Sequence, residues 1–571
     1  MSNARSAAAL LPLTLALCGC VPENEPNDSP FEAMENPLHQ ELVASNLNGF
    51  NGLLGTSSDR DYWWVMPEIG RQPDNSAMLV VTTQPSPLKA MDTRDDLPPG
   101  AVQLSFDREQ YERIKRLSDQ FGQVHLTDFA LDQDTRAELL LKPAPILAPD
   151  ATIVVARSTN GVVEEREVAT PDTLLLKGWV KGSEDSQVFL AISPLGTNGW
   201  INADGTSWLV STAHGAEGPR TICRAPADNP DKKPISSTFE CNVRRIPGQE
   251  IKTTIPSRGG MGTPRRYDVA IDTDTQYLDL FQGQEQVAIA YAMANIGAAN
   301  IVFADTNASL QISYMRLWED EDPWPFDDTD GMLAGIQYVW NASMSHIDRD
   351  LTVALCGPLT GGGVAWQDSI CDQQYAYAVI GNINGYFSYD VFPQSPDQGG
   401  DAANWDCSTI THEIGHVFGA IHTHEIDPPV DDCGNGDCSS PISTVMSYCH
   451  LCEGGEANLQ MLFCQENRDS INNFVYNWGQ CGDPVAAPKT YVVTSFFMED
   501  TRFSWQWQRV LYYDGFQENI VTETIQQTSM DCAKEGGCVE VDFITYDPRY
   551  PYLFRVTGTT PGYALMYSAP E

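Results

Sequence analysis

Between about 100 and 250 the chain alternates apolar and polar positions in short runs rich in β-branched residues. Runs at 151–156, 173–180, 187–192 and 207–211, broken by Gly and Asn, predict strands. Pro and charged residues dominate 225–266, which holds the pairs Arg244-Arg245 and Arg265-Arg266 and reads as a linker open to cleavage. The pattern then changes. Strands are predicted at 269–271, 309–317 and 351–355, with helices at 284–299 and 331–344 between them. Strand and helix alternating on this scale predict an α/β (α+β) domain over 265–482. After Cys481, runs at 491–497, 508–513, 539–544 and 552–556 predict a small all-β module over 488–571. A length of 571 residues fits this multidomain reading.

The first twenty residues point to a compartment. A short positive start precedes an apolar run at 7–17, too short for a bilayer span of about 20 residues but suited to a secretion signal. The run ends Leu17-Cys18-Gly19-Cys20. It resembles a bacterial lipobox, which implies a 1–20 leader and acylation of Cys20; an ordinary cleavable signal is the alternative. No later segment reads as long and apolar enough to cross a membrane. The expectation is an exported bacterial lipoprotein on the outer membrane or cell surface, held by lipid alone. Residues 21–90 hold a polar tether, to about Pro30, and a stretch that resembles the bacterial pre-peptidase β-sandwich. That resemblance rests on Asn27-Asp28-Ser29 and Asp59-Arg60-Asp61-Tyr62.

A formal charge of −43 repels phosphate backbones, which argues against nucleic acid, and also against charge-driven docking on anionic lipid. With 42% hydrophobic residues and 13 Trp the chain has the means to fold. Of fifteen cysteines, Cys18 leaves with the leader and Cys20 is acylated, so an odd number remains in a disulfide-permitting setting. One thiol is then left over.

Residues 411–425 read Thr-His-Glu-Ile-Gly-His-Val-Phe-Gly-Ala-Ile-His-Thr-His-Glu. On a helix, His412 and His416 lie one above the other and can share a zinc ion. Glu413, beside the first ligand, can reach a water on that ion. Gly419 suits a helix stop, after which His422 returns as a third ligand and leaves a fourth position open. His424 and His450 read as neighbours or surface groups. The acidic positions 319–322, 327, 328 and 330 offer oxygen ligands for calcium, and equally read as a solvated loop.

Downstream stands Ser443-Thr444-Val445-Met446-Ser447-Tyr448. With the extended zinc motif, this segment resembles the Met turn of the metzincin metalloproteases. Over roughly 265–480 the resemblance is to bacterial relatives of their reprolysin, or adamalysin, branch. One position departs: Thr423 stands where reprolysins usually have Asp. The resemblance implies that Met446 forms an apolar floor beneath the imidazoles. It implies that Tyr448 assists at the metal, with a merely packed tyrosine as the alternative. It makes Gly363, Val364, Ala365 and Trp366 the edge strand that pairs with an extended substrate. It also implies a prodomain thiolate on the open zinc position. Cys223 is the first choice because it follows the last predicted prodomain strand; Cys241 is the second, and a disulfide between them is the bland alternative. Cys532 and Cys538 are expected to pair.

The expectation is a zinc endopeptidase made as a zymogen, with 100–250 as prodomain and proteins or peptides as substrates. Rivals are a catalytically silent adhesin on the same scaffold, a zinc carrier and a zinc amidase.

Overall fold

The computed structural model describes residues 82–485 with breaks, the longest at 226–240, 249–263 and 388–404. It also describes the backbone of strands at Arg60–Val65 and, beyond 490, up to Tyr563–Pro570. The leader, Cys20, the tether and the Cys532–Cys538 pair lie outside the described residues.

Two sheets share one core. The first has ten strands, in the order Thr82–Pro85, Val124–Ala130, Arg136–Pro143, Leu174–Val180, Ser183–Ser193, Gly196–Ala203, Thr206–Gly215, Gly218–Arg224, Val102–Phe106 and Leu88–Ala90. All neighbours are antiparallel except the first pair. The second sheet runs Asn242–Arg244, Gly363–Trp366, Tyr377–Ile380, Leu351–Leu355, Arg265–Thr273, Ala308–Asp320, Leu147–Thr159 and Val162–Glu167, with Asp483–Pro484 paired beside Arg265–Thr273. Its middle strands are parallel. Both faces of such a sheet are covered, so the strands read as continuous apolar runs: every residue of Leu351–Leu355 is buried.

The pleat assigns alternate residues to different layers. Val269, Ile271, Val353 and Leu355 pack with the helix Glu285–Val302 and with Cys407, Ile410 and Ile414 of the helix Trp405–Val417. Ala270 and Ala354 face the other way, against Met332, Leu333, Ile336 and Trp340 of the helix Thr329–Ser343. The helix Glu285–Val302 also meets Leu175, Phe189 and Trp200 of the ten-stranded sheet in the same cluster. Covered over most of its surface, it is apolar on nearly every face, with Glu285, Gln286 and Asn300 only partly buried. This corrects the expectation that nothing beyond the leader could cross a membrane by composition. The segment Glu285–Asp305 has a mean hydropathy of 1.7 over its most apolar window, yet 83% of that window is buried in the protein.

The expected border between a 100–250 prodomain and the 265–482 domain is not a border between sheets. Leu147–Thr159 lies parallel to Ala308–Asp320, with Ile153 and Val155 in one core cluster and Val154 in the other. The physical reason is edge completion: Ala308–Asp320 is buried on both faces and would otherwise expose an unpaired ladder. A polar contact reinforces the join. The buried Arg316 guanidinium bonds Asp272 at 2.6 Å and reaches Glu165 of the added hairpin at 3.2 Å. Trp318 and Trp340 indoles donate to the same Asp272 carboxylate, so the buried charge is compensated on several sides. Within the expected linker, Asn242–Arg244 forms a strand on the opposite edge.

At the C-terminus, the four expected strands are present together with Val521–Thr528 and Tyr563–Pro570. Arg60–Val65, from the stretch compared with the pre-peptidase domain, pairs antiparallel with Tyr552–Gly558 of this module.

The interleaving makes a prediction. After a single cut in the linker between Arg245 and Arg265, the two pieces should co-elute at the size of the whole chain under native conditions and part only in denaturant. Separate native peaks would show that the shared sheet does not hold them.

Candidate metal centre

The helix Trp405–Val417 is buried along its whole length. Its start is held by Asp406, whose carboxylate accepts from the backbone N–H of Asn384 and Gly385 and from the Tyr291 hydroxyl. Burial pushes that carboxyl up to about 7. One turn apart, His412 and His416 bring their Nε2 atoms to 3.0 Å. The helix stops where expected, with Gly419 at φ +90°, a conformation that favours glycine. The chain then doubles back, and His422 Nε2 comes within 3.1 Å of His416 Nε2. Asn467 clasps the returning segment through two bonds of 3.0 Å to the backbone of Ile421. Ser470 donates to the carbonyl of Gly419 at 2.7 Å.

Each ring is fixed from behind. His412 Nδ1 lies 2.8 Å from the Val445 carbonyl, His416 Nδ1 2.9 Å from the Ala420 carbonyl, and His422 Nδ1 3.3 Å from a Glu425 carboxylate oxygen. The bond to His422 is the main reason the Glu425 carboxyl is held down at about 2. With the protons on Nδ1, three Nε2 lone pairs point at one another. Burial and the neighbouring rings push His416 down to about 3 and His412 well below its ordinary value, so these two rings favour the neutral form. A cation would satisfy the facing lone pairs together. Zinc–nitrogen bonds of about 2.0–2.1 Å in a tetrahedron set nitrogens about 3.3–3.4 Å apart, close to the spacing of these three atoms.

Glu413 is fully buried beside His412, and burial pushes its carboxyl up to about 8. Neither oxygen meets an N–H or O–H donor; the Cys241 thiol beside it pulls weakly the other way. Space for this carboxylate comes from Gly363, where an added Cβ would lie 2.4 Å from Glu413 Oε1. Beneath the helix, Met446 is wholly buried, its sulfur 2.9 Å from where a Cβ on Gly415 would stand. Cys241, His412 and Glu413 all offer ligand atoms within 4.8 Å of one another. Tyr448 donates its hydroxyl to the Cys241 carbonyl and packs its ring 4.5 Å from that of His422.

Residues 263–458 match the family model Reprolysin_5, metallo-peptidase family M12. That segment is a reprolysin-type metzincin domain. The chain therefore carries a metalloendopeptidase, with a His₃ metal site. No curated protein matches the chain. Among solved structures, metalloproteinase-II from Bacteroides fragilis aligns with 62% of this chain and 90% of its own at 10% identity and a TM-score of 0.33, a likeness that adds nothing to the family match.

Within the metalloendopeptidase domain, two expectations need correction. Cys223, the first choice for the inhibitory thiol, sits on Gly218–Arg224 opposite Val210, buried in the ten-stranded sheet. Burial raises its thiol pKa well above the usual range, and no disulfide joins it to Cys241. The cysteine brought to the histidines is Cys241, because it precedes the strand that pairs with the edge strand. The edge strand itself is not open: Asn242–Arg244 lies parallel along Val364, Ala365 and Trp366.

The odd cysteine count also resolves differently. Disulfides join Cys371–Cys481, Cys433–Cys449 and Cys438–Cys452, while Cys356, Cys407 and Cys464 stay as buried thiols. Several of the acidic positions considered for calcium have protein partners. Asp322 holds the Thr275 and Trp324 backbone, Asp328 caps the helix at Gly331, and Asp330 and Glu319 pair with Arg244 and Arg157. Residue Thr423 changes the wiring without losing it. Its N–H donates to the Met446 carbonyl at 3.2 Å, and the carboxylate of Asp431 takes over, holding Ser443 Oγ at 2.5 Å. Bonds from Ser443, Thr423 and Ser447 lower the Asp431 pKa against the opposing effect of its partial burial. His424 stacks on His422 with its ring plane tilted by only 8°.

Gly363→Ala should lower kcat/KM on a protein substrate by about a hundredfold, because the methyl displaces the Glu413 carboxylate by roughly an ångström. Metal content should stay at the wild-type value. Unchanged kcat/KM would show that this carboxylate position is not needed.

Proposed function

We propose that the protein is a zinc endopeptidase held as a zymogen, exported and tethered by a lipid on Cys20, and acting on proteins or peptides. The observation that carries the reading is the meeting of three imidazole Nε2 atoms, 3.0 and 3.1 Å apart, beside the buried Glu413 carboxylate. The lipid tether rests on the leader sequence alone.

His412, His416 and His422 would hold the zinc, which when bound supplies a Lewis acid for the scissile carbonyl and for water. The chain's own groups do the rest. Glu413, basic for a carboxylate because it is buried, takes a proton from the attacking water. It then gives that proton to the nitrogen of the departing amine. Gly363 keeps room for the carboxylate, and the edge strand Gly363–Trp366 orients an extended peptide by backbone pairing. Tyr448, once freed from the Cys241 carbonyl, has its hydroxyl available to the oxyanion.

Three contacts support the zymogen reading. Cys241 stands beside His412 and Glu413, the ligand atoms of all three within 4.8 Å of one another. Asn242–Arg244 takes up the substrate edge. It runs parallel to that edge. Tyr448 is occupied by the same segment.

Cys241→Ser should give casein cleavage without any cut in the linker, at ten or more times the rate of the uncut wild-type chain. Cys223→Ser should stay silent until cut. Equal silence of both variants would contradict the thiol's role. Zinc bound at one per chain with no cleavage before or after the cut would favour the silent binding protein.

A further inference from the structure

The strand on the substrate edge carries a cation, and the protein provides a partner for it. Arg244 stands opposite Trp366, and its carbonyl accepts from the Gln367 N–H at 2.8 Å. Its guanidinium makes a double contact with one carboxylate: Nε to Asp330 Oδ1 at 2.9 Å and Nη2 to Asp330 Oδ2 at 2.5 Å. Asp330 lies in the first turn of the helix Thr329–Ser343. Two turns on, Gln337 accepts from the Trp366 indole at 3.2 Å. Trp366 and Arg244 therefore send their side chains to the same side of the sheet, towards this helix.

Side-chain direction across a ladder follows position in the pleat, so residues opposite one another share a face whichever way their strands run. A substrate laid antiparallel on this edge directs its residue opposite Trp366 to the place now filled by Arg244. We infer that Asp330 is a specificity residue that takes an Arg or Lys side chain of the substrate, three positions along the edge from the glycine above Glu413. This inference rests on the peptidase reading, since it uses the same edge.

Two further features favour a cation there. The Asp330 side chain keeps 38% exposure with Arg244 in place, so a side chain arriving from solvent can reach it. The chain's formal charge of −43 draws cationic peptides towards it at low ionic strength. The paired fork geometry distinguishes Arg from a mere neighbour of opposite sign, because two N–H groups on one guanidinium edge meet both carboxylate oxygens at once.

The test uses the whole chain, cut in the linker, carrying Glu413→Gln so that peptides bind without turnover. A set of labelled neutral octapeptides has a single Arg walked through each position, and fluorescence anisotropy gives the affinity of each. One position of Arg should bind about twofold to fivefold more tightly than the neutral peptide, the upper range of an exposed ion pair. In the Asp330→Asn background that ratio should fall to about one, and Asp330→Lys should shift the advantage to a peptide with Glu at the same position. Equal binding of all peptides, no binding of any, or an Arg advantage that survives Asp330→Asn overturns the inference. Casein cleavage by the same cut chain with Glu413 intact tests the peptidase reading separately. An Arg preference without cleavage would leave the subsite standing and remove the peptidase.

Discussion

Everything at the centre depends on three imidazoles whose Nδ1 atoms are each committed to an acceptor, so that their Nε2 lone pairs have nowhere to point but at one another. Two of those acceptors are backbone carbonyls, of Val445 and Ala420, and the third is the Glu425 carboxylate. The arrangement is unfavourable as it stands and becomes favourable with a cation, so the surrounding fold must supply the cost of assembling it. Burial of the helix Trp405–Val417 and of Met446 does so. The Asn467 clasp, the Gly419 turn and the bonds between Thr423, Asp431 and the Met446 loop limit how far the rings can spread. A loss in any of these would loosen metal affinity without touching a ligand.

The same economy of contacts runs through the N-terminal half. A removable prodomain would be expected to sit on the surface of its enzyme. Here Leu147–Thr159 extends the catalytic sheet, Glu165 shares Arg316 with Asp272, and the helix Glu285–Val302 is covered by the ten-stranded sheet. Among the described residues of this region, it is the segment Cys241–Arg244 that lies beside Glu413 and along the edge strand. Under the zymogen proposal, inhibition and structural support would fall to different stretches of the same region, and release of one would not require loss of the other.

Much of the metal site was legible in the sequence because its geometry is local. The four-residue spacing of His412 and His416, the glycine stop and the return of His422 all follow from helix geometry within one short segment. Strands of the α/β domain were legible for the same reason, as continuous apolar runs. What escaped depended on register between distant segments. Cys223 and Cys241 differ in which strand lies against Gly363–Trp366, and no periodicity encodes that pairing. Asn467 and Asp431 are ordinary polar residues until the chain folds back on them. The acidic run that suggested calcium is divided among a helix cap, a backbone bond and ion pairs to Arg157 and Arg244, partners that lie far away in sequence. The largely apolar helix Glu285–Val302 carries a membrane-like pattern because two sheets cover it; composition alone does not separate lipid from protein as the covering.

The most direct measurement is X-ray absorption at the zinc edge on the zinc-loaded whole chain, before and after the linker is cut. The account predicts three nitrogens at about 2.0–2.1 Å and one sulfur at about 2.3 Å in the uncut chain, with the sulfur replaced by a light atom after the cut. A shell without sulfur in the uncut chain, or a sulfur that persists in a cut and active one, would contradict it.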